Sequence, residues 1–373
     1  MIIGIPKEIK TNENRVAITP SGVHDLVRNS HTVYIQKGAG VNSGFEDSEY
    51  VEQGAKTLDT IEEVYKKSDV IVKVKEPQPS EYTLLRENQT LFTYLHLAVE
   101  EKLTKVLLEK KVTAIAYETI QTTDGQLPLL VPMSEVAGKM SVQIAANILE
   151  KHNGGSGVLL GGIAGVAPGK VVIVGAGVVG ISAAKIAVGM GADVRILDVD
   201  LNKLRYVENI FGSRIKTYMS NHYNLKNQAS QADAVIGAVL IPGKKAPHLI
   251  DEETVKTMKK GSVIVDVAID QGGIVETIDR ITTHSNPTFE KHGVVHYSVA
   301  NIPGAVARTS TIGLTNATQK YLMHIANLGP IEAAKLFPEL AKGFNTFQGK
   351  LTNEAVAESL NMKYSELSML IGF

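Results

Sequence analysis

The sequence predicts an α/β protein of two domains, each built on a mainly parallel sheet. Three observations carry this. Short strands that are apolar throughout alternate with helix-length stretches, the mark of a parallel sheet covered on both faces. Two long helical stretches interrupt the alternation. A Gly-x-Gly-x-x-Gly turn sits between a strand and a helix near mid-chain. The 373 residues suit two domains of about 100–200 residues each.

In the first third, residues 2–5, 32–35, 70–74, 91–95 and 112–116 read as strands rich in Val, Ile, Leu, Tyr and Thr. Residues 20–28, 60–67 and 99–110 read as helices between them, and Thr60-Ile-Glu-Glu63 fits a capping box. From Pro132 a long helix is expected, with Val136, Met140, Ile144 and Ile148 on one apolar stripe beside Ala137, Ser141, Ala145 and Leu149. It reads as a bridge between domains, stopped by Asn153-Gly154-Gly155. The second set has strands at 170–174, 193–197, 215–217, 234–237 and 262–266, and helices at 178–188, 200–208 and 252–258. After a strand at 294–297, a second long helix over about 303–327 returns the chain to the first domain. A hairpin-like turn at 343–351 and a short helix at 353–360 follow. The expected division is 1–131 plus 308–373 for a discontinuous domain and 132–307 for a continuous one.

Composition excludes several classes of function. Lys and Arg number 38 against 39 Asp and Glu, a net charge of −1, with no basic block; nucleic-acid binding needs clustered cations. There is no cysteine, so disulfides, thiolate metal sites and thiol catalysis are excluded. No run approaches the ~18 apolar residues of a membrane span, and the N-terminus lacks a signal-peptide pattern. A soluble, cytoplasmic protein with small-molecule partners is the expectation.

The glycine-rich turn is Gly175-Ala-Gly177-Val178-Val179-Gly180, after the strand Lys170-Val-Val-Ile-Val174. In such turns the first glycine makes the bend, the second admits a pyrophosphate and the third lets helix and strand pack closely. The helix start then offers N–H groups and a positive dipole end to the phosphates. Asp198 ends the next strand, placed to bond the ribose hydroxyls of NAD. Arg195, Lys203 and Arg205 are nearby cations open to a cofactor phosphate; Asp198 favours NAD over NADP. The cluster Gly161-Gly-Ile-Ala-Gly-Val-Ala-Pro-Gly169-Lys170 is not a P-loop, since Ala164 and Val171 stand where glycine and Ser/Thr are required.

Ligands of open α/β sheets lie beyond the C-terminal strand ends. Arg15, Lys75, His96 and Asp270 follow such ends, and are expected to meet at an active site in the interdomain cleft. Their chemistry is complementary: Arg15 for a carboxylate, Lys75 to polarise a carbonyl or imine, His96 and Asp270 for proton transfer. Each has a plainer use as well. His96 suits a hydrogen-bonded core position, Arg15 and Lys75 a solvated surface, and Asp270 a cap on the Gly272-Gly273 turn.

The blocks Ile3-Gly-Ile-Pro-Lys-Glu8, Asn14-Arg15-Val-Ala-Ile-Thr-Pro20, Lys73-Val-Lys75-Glu-Pro77, Tyr94-Leu-His96-Leu-Ala98, Pro132-Met-Ser134-Glu-Val-Ala-Gly138, Val267-Ala-Ile-Asp270-Gln-Gly-Gly273 and Val299-Ala-Asn301-Ile-Pro-Gly-Ala-Val-Ala-Arg308-Thr-Ser-Thr311 together resemble the alanine dehydrogenase family and its relative, the proton-translocating transhydrogenase. Gly304 departs from the Ala or Ser expected in its block. The alanine dehydrogenase branch is nearer, because His96 sits in its block and the chain ends near Phe373 without a membrane segment. The resemblance implies two Rossmann-like domains linked by two long helices, NAD as cofactor, L-alanine, pyruvate and ammonia as substrates, and a homohexamer. It implies that Arg15 and Lys75 bind substrate, that His96 and Asp270 are catalytic, and that Ser134, Asp198, Asp270 and Asn301 touch the cofactor beside the glycine turn. No metal is implied. Two other readings stay open: a transhydrogenase component that passes hydride to a partner, and a non-catalytic NAD-binding sensor.

Overall fold

The computed structural model describes residues 1–239 and 248–372. The strands, in chain order, are β1 (Ile2–Ile5), β2 (Thr32–Gln36), β3 (Lys56–Leu58), β4 (Val70–Val72), β5 (Thr90–Thr93), β6 (Thr113–Ala116), β7 (Lys170–Val174), β8 (Asp193–Asp198), β9 (Ile215–Met219), β10 (Ala234–Gly237), β11 (Val263–Asp266), β12 (Thr288–Lys291), β13 (Val294–Tyr297), β14 (Phe344–Phe347) and β15 (Lys350–Leu351). They form two sheets in two compact units, one comprising Met1–Met133 with Val306–Phe373 and the other Ser134–Ala305.

The sheet of the first unit runs β15-β14-β6-β5-β4-β1-β2-β3. β1 to β6 are mutually parallel, and the C-terminal hairpin of β14 and β15 adds antiparallel to β6. Every residue of β4, β5 and β6 is buried, because parallel strands between two helical layers have no solvent face. Local chemistry sets the helix ends. The helix Pro20–Arg28 starts with proline in its first turn and Thr19 as its cap, whose hydroxyl accepts from the Gly22 N–H at 3.3 Å. The helix Ile61–Lys67 carries the expected box: Thr60 accepts from the Glu63 N–H, and Glu63 accepts from the Thr60 N–H.

The second unit's sheet runs β12-β13-β11-β10-β7-β8-β9, parallel except for β12 on β13. Renumbered within each unit, the six parallel strands of both sheets share the order 3-2-1-4-5-6, the doubly wound arrangement with a switch point between strands 1 and 4. A core of small and branched residues, among them Ala183, Ala184, Ala187, Ile173, Ile196 and Val265, packs the helix Val178–Gly189 on one face.

The helix Val131–Ile148 forms as expected, and most of the expected stripe is buried. Ala137, Ser141, Ala145, Ile148 and Leu149 are buried, with Gly138 and Val142 beside them, while Val136, Met140 and Ile144 are half-buried. A β-carbon at Gly138 would lie 2.2 Å from the Val179 carbonyl oxygen, so the small-residue side of the helix lies against the glycine-turn helix and the larger side chains flank it. The second long helix is split: a 3-10 turn at Ile302–Val306 precedes the helix Ala307–Leu328. Missed at the sequence level were the helix Asp47–Glu52, the strands β3 and β12, the helix His222–Ala229, and the short helices Pro330–Leu336 and Pro338–Ala341. No helix among the described residues is long and apolar enough to cross a membrane.

Candidate active site

In the first unit, Arg15, Lys75 and His96 all follow the C-terminal ends of parallel strands, β1, β4 and β5. Arg15 is almost wholly buried. Glu13 grips it: its Oε1 accepts from Arg15 Nε at 2.6 Å and from the Arg15 backbone N–H at 3.1 Å, and its Oε2 accepts from Nη2 at 2.5 Å. Arg15 Nη1 lies 3.0 Å from Met133 Sδ. Burial opposes the guanidinium charge, but Glu13 outweighs it and the pKa of Arg15 rises. The Glu13 carboxyl is likewise desolvated, yet Arg15 and then Lys75 hold its pKa below the ordinary value. Two side chains pin this loop from below. Thr311 Oγ1 accepts from the Val16 N–H at 3.2 Å, and Ser43 Oγ donates to the Asn14 carbonyl at 2.8 Å while meeting Thr311 Oγ1 at 2.9 Å.

Lys75 is placed by Glu8. The Glu8 carboxylate accepts from the Val74 N–H at 2.6 Å, the Lys75 N–H at 3.4 Å and Lys73 Nζ at 3.0 Å. Lys73 is fully buried and pairs at 3.0 Å with Glu81 as well, whose Oε1 accepts from the Tyr65 hydroxyl at 2.9 Å. This explains why β4 ends at Val72 rather than at Val74: the Val74 N–H goes to a carboxylate instead of a neighbouring strand. Desolvation raises the pKa of Glu8 against the lowering effect of Lys73.

His96 is exposed, with its side chain 45% accessible, so it is not a core histidine. Its backbone is left-handed, φ 52°, a conformation in which histidine is enriched among non-glycine residues. Glu118 holds that bend by accepting the His96 N–H at 2.6 Å and the Leu95 N–H at 3.0 Å. His96 Nδ1 lies 3.4 Å from Glu76 Oε2, and Glu76 also pairs with Lys10. Burial would raise the Glu76 pKa, but His96 and Lys10 bring it down to about 2. Behind the loop, Tyr94 donates its hydroxyl to the Leu129 carbonyl at 2.6 Å and packs edge-on against Tyr117.

The second unit carries the glycine turn at its own switch point. Gly175 is left-handed at φ 108°, and a β-carbon there would lie 2.6 Å from the Ala238 carbonyl oxygen. At Gly180 it would lie 1.8 Å from the Gly175 carbonyl oxygen. At Gly177 it would meet nothing within 4 Å. Two glycines are thus required by the chain's own packing, and the third leaves an open cradle beside the first-turn N–H groups of Val178 and Val179. Asp198, at the end of β8, accepts from the Ala176 N–H at 2.7 Å and from the Asp200 N–H at 2.9 Å. A carboxylate has about four acceptor positions, so these two bonds leave capacity for ribose hydroxyls. The turn fits a dinucleotide.

The nearby cations divide. Arg195 is committed to Gln228 and Asp193, at 2.5 and 3.3 Å, which removes it as a cofactor-phosphate acceptor. Arg205 donates to Asn202 at 2.9 Å, and Lys203 is exposed on the helix Leu201–Phe211. Ser134 is half-buried on the helix Val131–Ile148. Asp270 is exposed on the 3-10 turn Ile269–Gln271, and its Oδ2 accepts from the Asn301 N–H at 3.5 Å. Asn301, like His96, is left-handed, φ 59°. Beneath Asp270, the buried Asp266 carboxyl accepts from the Ala268 and Ile274 N–H groups at 3.0 and 2.7 Å and so shapes its loop; burial pushes its pKa up to about 6. Among the described residues no cluster of three or more His, Asp or Glu is suited to a metal.

Residues 4–137 match the family description "Alanine dehydrogenase/PNT, N-terminal domain", and residues 141–354 match its C-terminal counterpart. The chain belongs to the alanine dehydrogenase/PNT family. It is 60% identical to the alanine dehydrogenase of Methanococcus maripaludis over 365 residues, covering 98% of each chain. Among solved structures it matches an L-alanine dehydrogenase at 49% identity with a TM-score of 0.94, covering 97% of this chain and 99% of that one. A transhydrogenase from Sinorhizobium meliloti matches at 25% identity and a TM-score of 0.81, over 95% of this chain and all of that one. Family membership makes the dinucleotide of the glycine turn a pyridine nucleotide.

Sequence reasoning picked out Arg15, Lys75, His96 and Asp270 but missed the acids that hold the first three: Glu13, Glu8, Glu76 and Glu118. For two of them a local signal exists. Glu13 is two residues before Arg15 and Glu76 directly follows Lys75. Glu8 and Glu118 act on residues 66 and 22 positions away, which no local pattern reveals.

Proposed function

We propose that this chain is an L-alanine dehydrogenase that interconverts L-alanine, NAD and water with pyruvate, ammonia and NADH. The observation that carries the reading is the grouping, at the strand ends of the first unit, of a carboxylate-held arginine, a lysine and an exposed histidine, in a chain whose second unit carries a dinucleotide turn.

Arg15 binds the substrate carboxylate through its fixed guanidinium fork. Lys75 adds a second positive charge and polarises the forming C=N or C=O bond. Gly175, Gly177, Val178, Val179, Gly180, Asp198, Ser134, Lys203 and Asn301 hold NAD, which when bound accepts the hydride from Cα. His96 takes the proton from the water that adds to the iminium carbon. The carbinolamine then loses ammonia, with His96 and Asp270 sharing the proton transfers. Asp198 favours NAD by accepting from the ribose hydroxyls and repelling a 2′-phosphate. The family resemblance supports a cytoplasmic homohexamer whose partners are small molecules.

The test is a panel of L-amino acids with NAD and with NADP, followed by absorbance of the reduced cofactor. Reduction with L-alanine and NAD supports the reading. Cofactor-to-cofactor transfer without amino-acid oxidation would place the chain with the transhydrogenases, and binding of NAD without turnover would make it a sensor.

A further inference from the structure

We propose that Asp266 is a positioning residue for the reaction: it sets the turn that carries Asp270 and acts on proton transfer through it. The proposal rests on the reading above in which Asp270 takes part in proton transfer. Asp266 is the last residue of β11 and is wholly buried. Its Oδ1 accepts from the Ala268 N–H at 3.0 Å, the two-residue reach of an Asx turn. Its Oδ2 accepts from the Ile274 N–H at 2.7 Å, on the far side of the turn. One carboxylate thus ties together both ends of the segment 268–274, and Asp270 is exposed between them on the 3-10 turn Ile269–Gln271.

The main chain closes the same segment. The Gly273 N–H donates to the Ala268 carbonyl and the Gly272 N–H to the Ile269 carbonyl, both at 3.0 Å. Outside it, sheet-type bonds hold the flanks: the Val267 N–H donates to the Gly237 carbonyl at 2.9 Å and the Leu249 N–H to the Ile274 carbonyl at 2.8 Å. Ala268 and Ile274 are buried in one apolar cluster. The carboxyl itself is seated between two glycines. A β-carbon at Gly237 would lie 3.0 Å from Oδ1, and one at Gly273 would lie 2.7 Å from Oδ2. Its pKa is about 6, so at about pH 8 Asp266 is ionised and accepts at both oxygens. An amide in its place would turn an NH2 toward one of the two N–H groups, and one end of the segment would lose its acceptor. Being buried below the turn, Asp266 is a positioning residue and not a catalytic one.

The test is a mutant cycle at about pH 8, with L-alanine and NAD as substrates and rates corrected for active fraction by NADH-binding stoichiometry. Asp266→Asn removes one acceptor. Gly273→Ala crowds Oδ2 while keeping the carboxylate, and it carries the test if Asp266→Asn does not fold. Each change is made in the wild type and in Asp270→Asn. Each is expected to lower kcat about tenfold or more in the wild type, since small displacements of a reacting group cost rate steeply. In the Asp270→Asn background each is expected to cost less than about twofold, because residues that act as a unit are not additive. The same fold-loss in both backgrounds would mean that Asp266 only supports the fold, and wild-type kcat in the single variants would mean that the turn needs no such tie; either overturns the proposal. Failure of the underlying reading is seen separately. Wild-type kcat in Asp270→Asn alone removes Asp270 from proton transfer, and this proposal with it, whereas a large loss there beside no loss in Asp266→Asn and Gly273→Ala removes this proposal only.

Discussion

The carbonyl oxygen of Gly175 lies so close to Gly180 that a β-carbon on residue 180 would sit 1.8 Å from it. The helix Val178–Gly189 therefore enters its turn at a separation only glycine permits. Gly180→Ala is expected to push the helix off β7 and weaken NADH binding at least tenfold, or to prevent soluble folding. Gly177→Ala is the informative contrast. Its methyl group meets no protein atom within 4 Å, so its melting temperature should match the wild type while NADH affinity still falls. Fluorescence titration with NADH beside thermal melts checks both. Wild-type affinity in Gly177→Ala would remove the cradle from the cofactor's path.

His96 and Asp270 are assigned the proton transfers. His96→Ala and Asp270→Asn should each lower kcat by about 10²-fold or more, the usual worth of a general acid or base. Steady-state kinetics with L-alanine and NAD gives the answer, and near-wild-type turnover in both variants would sink the assignment. Glu118→Ala removes the acceptor of the Leu95 and His96 N–H groups. It is expected to lower kcat by about tenfold, with partial recovery in Glu118→Gln, whose amide oxygen can still accept.

Asp198 pins the Ala176 N–H at 2.7 Å, and under the proposed function it also accepts from the ribose hydroxyls. In Asp198→Ala the KM for NAD should rise at least tenfold and the preference for NAD over NADP should narrow. Initial rates with both cofactors measure it. An unchanged preference would mean that discrimination lies elsewhere.

His296, fully buried in β13, gives a pH dependence of stability. Its Nδ1 faces the Val294 carbonyl at 2.9 Å and so donates, which leaves Nε2 to accept from Thr277 Oγ1 at 2.7 Å. Burial lowers its pKa from 6.5 to about 4. Between those values the unfolded chain takes up a proton that the folded ring refuses, so stability falls as the pH drops through this window. The contribution lost is about 3 kcal/mol. Asp266, with its pKa raised to about 6, works in the opposite sense, gaining stability as pH falls toward the ordinary Asp value. Urea unfolding of the wild type and His296→Gln at pH 7 and pH 4.5 separates them: the variant should lose less stability than the wild type over this interval.

Much of the fold is legible because local rules and packing agree. The strands at 70–72, 113–116 and 170–174 are apolar at nearly every position, and the Thr60 box and the glycine turn carry their own hydrogen-bond logic. What was missed is of two kinds. Lys56–Leu58 and Thr288–Lys291 are edge or near-edge strands with exposed residues, so their pairing comes from the neighbouring strand and not from their own apolarity. In the helix Val131–Ile148, periodicity found the stripe but not that Val136, Met140 and Ile144 on it would be only half-buried beside its small residues. At the site, the cations were legible from their place after strands, while Glu8 and Glu118 bind backbone N–H groups far along the chain.

The shared strand order gives each unit a crevice at the same topological address. In the second unit that address, after β7, is bare main chain with a glycine cradle. In the first, after β1, Ile5-Pro6-Lys7-Glu8 stands there, and the Glu8 carboxyl reaches across to β4 and fills the gap with its bonds to Val74 and Lys73. Proline withdraws an N–H and the acid supplies oxygen where the other unit's turn offers main-chain donors. One architectural plan is used twice in the chain with opposite chemistry at the repeated position: main-chain N–H donors in one unit and a carboxylate in the other.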